Sequence, residues 1–198
     1  MKKDFVSSRR ALLLASLGLV ATGASGCRSI YSRYMPSDYS SYRVDRQYRR
    51  KTVAYDGYEQ PGTIVVNTYE RYLYHVEGGG QATRYGVAVG EEGLTLKGEA
   101  SVGRKAEWPS WTPTASMIRR KPHLAQYAGG VEGGPNNPLG AAALYLYRGG
   151  QDTLFRLHGT NEPWSIGRAV SNGCVRLTND DIVHLYSRTP VGAKVVII

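Results

Sequence analysis

The sequence predicts a mainly β, single-domain protein with one or two short helices, on three observations. Its 198 residues suit one domain with appendages. Its 24 Gly and 9 Pro break the chain into short segments. The apolar runs between those breaks are short and β-branched, which is a strand pattern rather than a helical one. The overall balance of 41% hydrophobic and 21% charged residues is that of a globular chain, not a disordered or fibrous one.

The elements follow in order. Gly62-Thr-Ile-Val-Val-Asn67 reads as the first strand, and Arg71-Tyr-Leu-Tyr-His-Val76 as the second, ending at Glu77-Gly-Gly-Gly80. Strands over Tyr85–Val89 and Leu94–Val102 come next, at hairpin spacing about Gly90 and Gly93. Trp108-Pro-Ser-Trp-Thr-Pro113 is irregular, a short helix is expected near Ser116–Arg120 before Pro122, and Gly129–Gly140 is a loop. Ala142–Tyr147 and Thr153–His158 resume the sheet. Thr178-Asn-Asp-Asp181 resembles a capping box for a helix running to about Ser187, and Lys194-Val-Val-Ile-Ile198 closes the domain as a buried strand.

Ahead of the domain, residues 1–26 read as an export signal: Lys2, Lys3, Arg9 and Arg10, the apolar run Ala11–Val20, then small residues. The run is shorter than the ~20 residues needed to span a membrane. Ala24-Ser-Gly-Cys27 resembles a bacterial lipobox, which makes Cys27 a candidate lipidation site and a link to the membrane; the Ser-Arg-Arg before the run resembles a twin-arginine signal. Arg28, in place of an inner-membrane-retaining Asp, points to the outer membrane. Residues 27–51, rich in Tyr, Ser and Arg, read as a tether, with the domain proper over 52–198. The formal charge of +9 sits mostly in these leading segments: residues 52–198 hold fourteen basic against thirteen acidic side chains. A phosphate-tracking groove needs its excess on the folded domain, so nucleic acid is not an expected partner.

Two residues stand out chemically. In Leu154-Phe-Arg-Leu-His158 the alternation places Leu154, Arg156 and His158 on one face and Phe155 and Leu157 on the other, so His158 shares a face with a charge at a strand end. Sixteen residues on, Ser171-Asn-Gly-Cys-Val-Arg176 sets Cys174 beside a glycine whose freedom suits a tight turn, with amide N–H groups fit for an oxyanion. An unassisted thiol, with a pKa of ~8.5, needs a basic partner to act as a nucleophile at neutral pH. His158 and Cys174 supply that inventory. No Cys-x-x-Cys or His-Glu-x-x-His pattern argues for a metal, and His75, His123 and His184 are scattered, with His184 expected to face solvent on the last helix.

His158-Gly-Thr-Asn-Glu-Pro-Trp164, Ser165-Ile-Gly167 and Ser171-Asn-Gly-Cys-Val-Arg-Leu177 together resemble the catalytic segment of YkuD-type L,D-transpeptidases, the ErfK/YbiS/YcfS/YnhG-like enzymes of the bacterial cell wall. Asn137-Pro-Leu-Gly140 and Trp111-Thr-Pro113 extend the likeness. It implies a β-sandwich domain in the periplasmic envelope that acts on peptidoglycan stem peptides without a cofactor or metal. Cys174 would be the nucleophile forming a thioester, His158 the base, and the Gly159 carbonyl the group orienting it. Backbone N–H groups of Asn172, Gly173 and Cys174 would form the oxyanion hole. Arg176 would hold a substrate carboxylate or brace the loop; Trp164 and Ser171 are further candidates for substrate contact. The family's Ser-His-Gly-Cys is Ser171-Asn-Gly-Cys174 here, and its Thr-Pro-x-Gly is Thr95-Leu-Lys-Gly98. Two alternatives remain: an L,D-carboxypeptidase, using the same pair with water as acceptor, and a catalytically silent wall-binding lipoprotein.

Overall fold

The β-branched run Ile64–Asn67 forms β2, three of its four residues buried, at the middle of a long mixed sheet. The computed structural model describes residues 42–91 and 94–198; the export signal, Cys27 and most of the tether expected over 27–51 lie outside them. The remaining strands are β1 (Lys51–Ala54), β3 (Tyr72–Glu77), β4 (Gln81–Gly86), β5 (Val89–Gly90), β6 (Gly98–Glu107), β7 (Ala142–Arg148), β8 (Gln151–His158), β9 (Ala169–Ser171), β10 (Val175–Arg176) and β11 (Lys194–Ile197). Nine of them form one sheet in the order β1-β4-β3-β2-β11-β6-β7-β8-β10, and β5 pairs with β9.

The sheet curls until its ends meet. Ala88, just past β4, exchanges both backbone hydrogen bonds with Arg176 of β10, at 2.9 and 2.8 Å. Side chains from β2, β3 and β4 therefore share one core with those of β7, β8 and β10. This gives the two-layered section of a sandwich, in agreement with the mainly β expectation. Helix α1 (Ala115–Arg120) and a 3-10 turn over Pro122–Tyr127 lie in the long β6–β7 connection.

Helix α2 (Asn179–Arg188) packs on β7 and β8. Thr178 caps it, its Oγ1 accepting the Asp181 N–H at 3.1 Å, as the expected capping box requires. Ile182 and Leu185 are fully buried against the sheet, each worth roughly 1.5–3 kcal/mol of apolar transfer. At the other end Lys105 Nζ donates to Tyr186 O and Thr189 O, both at 2.7 Å, satisfying carbonyls that the helix leaves open. His184 is half-buried rather than fully turned to solvent: its Nδ1 bonds the Tyr85 hydroxyl of β4 at 2.8 Å, while Nε2 lies 3.4 Å from Arg188 on the exposed side.

Three other expectations shift. The Gly78–Gly80 turn starts β4 immediately at Gln81, so its polar residues pair with β3 and the strand ends at Gly86 rather than spanning Tyr85–Val89. Strand β6 begins at Gly98 and continues past Val102 to Glu107, its pairing with β7 carried across a bulge. Residues 42–50 dock on the sheet: the Tyr48 ring lies 5.5 Å from that of Tyr72, and Arg50 pairs with Asp181 at 3.1 Å.

The alternation assigned to Leu154–His158 breaks at its first residue. Tyr145 opposes Arg156 and Tyr147 opposes Asp152, so three residues of β8 face Leu146 alone. Asp152 Oδ1 accepts the Leu154 N–H at 2.8 Å and Thr153 Oγ1 the Phe155 N–H at 3.2 Å, and these side chains draw the amides away from the ladder. Leu154 is left at φ 64°, 63% exposed. Past this bulge the period returns, with Leu157 in the core and Arg156 and His158 on the other face.

Candidate active site

Strands β8 and β10 run parallel, with Leu157 opposite Val175 and His158 opposite Arg176. This register brings His158 and the loop carrying Cys174 to one end of the sheet. His158 is 5% exposed, and its Nδ1 lies 2.6 Å from Gly159 O. A carbonyl oxygen only accepts, so Nδ1 carries the proton and Nε2 keeps its lone pair. Burial foremost, then the positive charge of Arg176, pushes the imidazole pKa down to about 3, with the Gly159 carbonyl acting in the opposite sense. At neutral pH the ring is an uncharged base.

The Cys174 loop is drawn tight by Ser171. Its hydroxyl accepts the Gly173 N–H at 3.1 Å and donates to Cys174 O at 2.5 Å. Gly173 takes φ 125°, and a Cβ there would sit 2.7 Å from Leu94 O, so only glycine fits. Cys174 is half-buried, with Sγ 3.9 Å from the carbonyl of Leu154 in the bulge. Burial pushes the thiol pKa up, against the Arg156 backbone N–H and the charges of Arg156 and Arg176. Burial thus disfavours the charged form of both groups.

Two cavities flank this loop. One of about 400 Å³ is lined by Cys174, Leu154, Arg156, Tyr145 and Met117. The other, about 580 Å³, is lined by Asn172, Arg176, Glu162, His123 and Tyr127. Trp111 lines both, standing between them on the segment that joins β6 to β7. Asn172 lines the larger cavity, and its buried Oδ1 has no hydrogen-bond partner among the described residues.

Several expected roles change. Ser171 is 1% exposed and its hydroxyl is spent within the loop, so it does not meet substrate. The Gly173 N–H, expected to join an oxyanion hole, is bonded to Ser171 Oγ instead. Arg176, expected to hold a substrate carboxylate or brace the loop, pairs its guanidinium with the Glu162 carboxylate at 2.6 Å. Trp164, on a 3-10 turn over Pro163–Ser165, lines neither cavity. It is 51% exposed and meets the Tyr42 ring edge-on at 6.4 Å. Glu162, Trp111 and His123 went unassigned in the sequence, although Glu162 and Trp111 both fall inside the motif segments quoted above.

A buried histidine bonded to the next residue's carbonyl thus stands at the same sheet end as a cysteine on a turn tied by Ser171. The sequence matches the L,D-transpeptidase catalytic domain (YkuD) over residues 61–197. The chain belongs to the L,D-transpeptidase family. Within that family it is similar to the probable L,D-transpeptidase YbiS of Escherichia coli K12, 38% identical over 141 residues, covering 67% of this chain and 43% of that protein. The putative L,D-transpeptidase YqjB of Bacillus subtilis 168 is 42% identical over 116 residues, 57% of each chain. The matched region thus spans less than half the length of the E. coli relative. A crystal structure from Brucella melitensis, described as a probable carnitine operon oxidoreductase, shares 46% identity with a TM-score of 0.53, covering 82% of this L,D-transpeptidase-family chain and 99% of that one.

Proposed function

We propose that this chain is a cysteine-dependent peptidoglycan L,D-transpeptidase of the bacterial envelope. The observation that carries the reading is the 2.6 Å contact between His158 Nδ1 and Gly159 O, which leaves Nε2 as a neutral acceptor at the sheet end where Cys174 sits. With both partners neutral at rest, attack is general-base assisted. His158 Nε2 takes the thiol proton as Sγ bonds to the carbonyl carbon between an L-centre and a D-residue of a stem peptide. The Cys174 and Asn172 N–H groups receive the developing oxyanion. As the tetrahedral intermediate collapses, the C–N bond breaks and His158 returns the proton to the departing amine, leaving a thioester. An acceptor amine then loses a proton to Nε2, attacks the thioester and frees the thiol.

The two cavities meeting at Trp111 suit a reaction with a donor and an acceptor, which favours transfer to an amine over transfer to water. The family match and the curated relatives support transpeptidation, and the oxidoreductase description of the Brucella protein stands apart from them. Cys27, as a lipidated residue, would anchor the domain to the outer membrane on a tether over 27–51; a Cys27→Ser protein that fractionates as the natural one does would overturn the anchor.

The test of the reaction is incubation with a stem tetrapeptide and an amine acceptor, followed by intact-mass analysis. The expected result is a thioester mass gain on Cys174 that is chased into crosslinked product. Release into water alone would make the protein a hydrolase. No adduct on Cys174, with activity kept in Cys174→Ser, would overturn the mechanism.

A further inference from the structure

Asn179 opens α2, and its buried side chain reaches away from the helix toward the His158 strand end. Its Oδ1 accepts two backbone N–H groups, from Ala141 at 3.0 Å and from Thr160 at 3.1 Å. The Thr160 N–H and the Gly159 C=O belong to one peptide unit, and in a trans peptide they point in opposite directions. That unit is therefore held from both sides, by Asn179 through its N–H and by His158 Nδ1 through its carbonyl.

The socket around the carboxamide is built for it. A Cβ at either Gly140 or Gly159 would lie 2.2 Å from Asn179 Oδ1. Gly140 takes φ 63° and ends the long connection that carries Trp111, so one side chain ties α2, that connection and the histidine's carbonyl partner together. We propose that Asn179 is a positioning residue for acyl transfer, which fixes the tautomer and ring orientation of His158 through the Gly159–Thr160 peptide. The inference rests on the Cys174/His158 mechanism above. Without the acceptor, two buried N–H groups lose their partner and the peptide plane can rotate to find another. The Gly159 carbonyl then leaves His158, the proton is no longer confined to Nδ1, and a ring protonated on Nε2 has no lone pair facing the thiol.

The experiment uses the full chain labelled with 15N-histidine. It reads the His158 tautomer by NMR alongside kcat and KM for tetrapeptide transfer. Asn179→Ala should lower kcat about tenfold or more with KM within about twofold, and should convert His158 from a single Nδ1–H form to a mixture. Asn179→Asp keeps an oxygen acceptor in place, and should restore both the tautomer and most of kcat. Gly159→Ala displaces the carboxamide by its Cβ, and should reproduce the mixture by a second route. A folded Asn179→Ala or Gly159→Ala protein with unchanged tautomer and kcat overturns the proposal. If neither folds, Asn179→Asp decides alone, and a mixed tautomer there overturns it. The NMR readout does not depend on Cys174, so activity surviving in Cys174→Ser would sink the mechanism and leave the Asn179–His158 coupling to be judged separately.

Discussion

His158 and His75 invite the same description and have different surroundings. Both sit in strands, exposed by only 5% and 6%, and burial pushes both imidazoles toward the neutral form. An arginine adds to the effect in each case, Arg176 for one and Arg188 for the other. The difference lies in the ring nitrogens. His158 spends Nδ1 on Gly159 O and sits at the sheet end that carries the Cys174 loop. His75 has no hydrogen-bond partner for either nitrogen among the described residues, with Glu77 4.0 Å away, and lies between Ile64 and Thr83 across its neighbouring strands. A depressed histidine pKa therefore marks burial in both places, and what sets the two apart is the bonded, oriented ring of His158 on which the proposed mechanism rests.

The largest effect should come from removing the oriented ring. His158→Gln should slow acyl transfer by about 10²–10⁴, the range for a lost general base, measured as thioester formation with a stem tetrapeptide. A loss under tenfold would place the base elsewhere. Next comes the thiol. Because burial raises the Cys174 pKa, its iodoacetamide alkylation rate should keep rising with pH above ~8.5, the value for an unperturbed thiol, with no plateau near neutrality. A plateau at pH 6–7 would mean a resting thiolate–imidazolium pair instead.

The legible parts of the sequence were those where one strong local signal met no competitor. The β-branched runs of β2 and β11 and the Thr178 cap are seen as expected, because burial and capping act within a few residues. Strand β4 was hidden because Gln81–Arg84 lacks apolar alternation, and its pairing is imposed by the turn before it. Strands β9 and β10, three and two residues long, exist only through partners distant in sequence. At the site, His158, Gly159 and Cys174 were legible as a motif. The Leu154 bulge was not, since it depends on Asp152 and Thr153 capturing amides that a regular ladder would use. Ser171 misled for a related reason: a short polar side chain near a cysteine suits substrate contact and loop-tying equally, and only its burial tells them apart.

A smaller effect is expected where the sequence departs from its family. Asn172 lines the larger cavity, whereas among the described residues the His158 ring is held by Gly159 O. Asn172→His should leave transfer within about tenfold, a barrier change of ~1.4 kcal/mol. Activity that appears only in the histidine variant would assign the base to position 172 and make the natural protein a wall-binding domain.

The smallest effect on activity, and the sharpest contrast, belongs to His75. Neither of its nitrogens has a hydrogen-bond partner to lose among the described residues, so His75→Leu removes a buried polar group without orphaning another there and should leave transfer within about twofold. Its signature should appear in stability against pH. An unfolded histidine binds its proton near pH 6.5, whereas both buried rings resist it, so between pH 6.5 and the folded pKa the unfolded chain holds more protons. Stability therefore falls as pH falls through that window, by about 1.4 kcal/mol per pH unit for a ring held as low as His158. Urea midpoints at pH 7.5 and pH 5 should show His75→Leu equal to or above the natural protein at the higher pH, and further above it at the lower. Equal losses on acidification in both proteins would mean that His75 already finds a partner for its proton in the fold, and the two histidines would no longer differ in the way that separates scaffold from site.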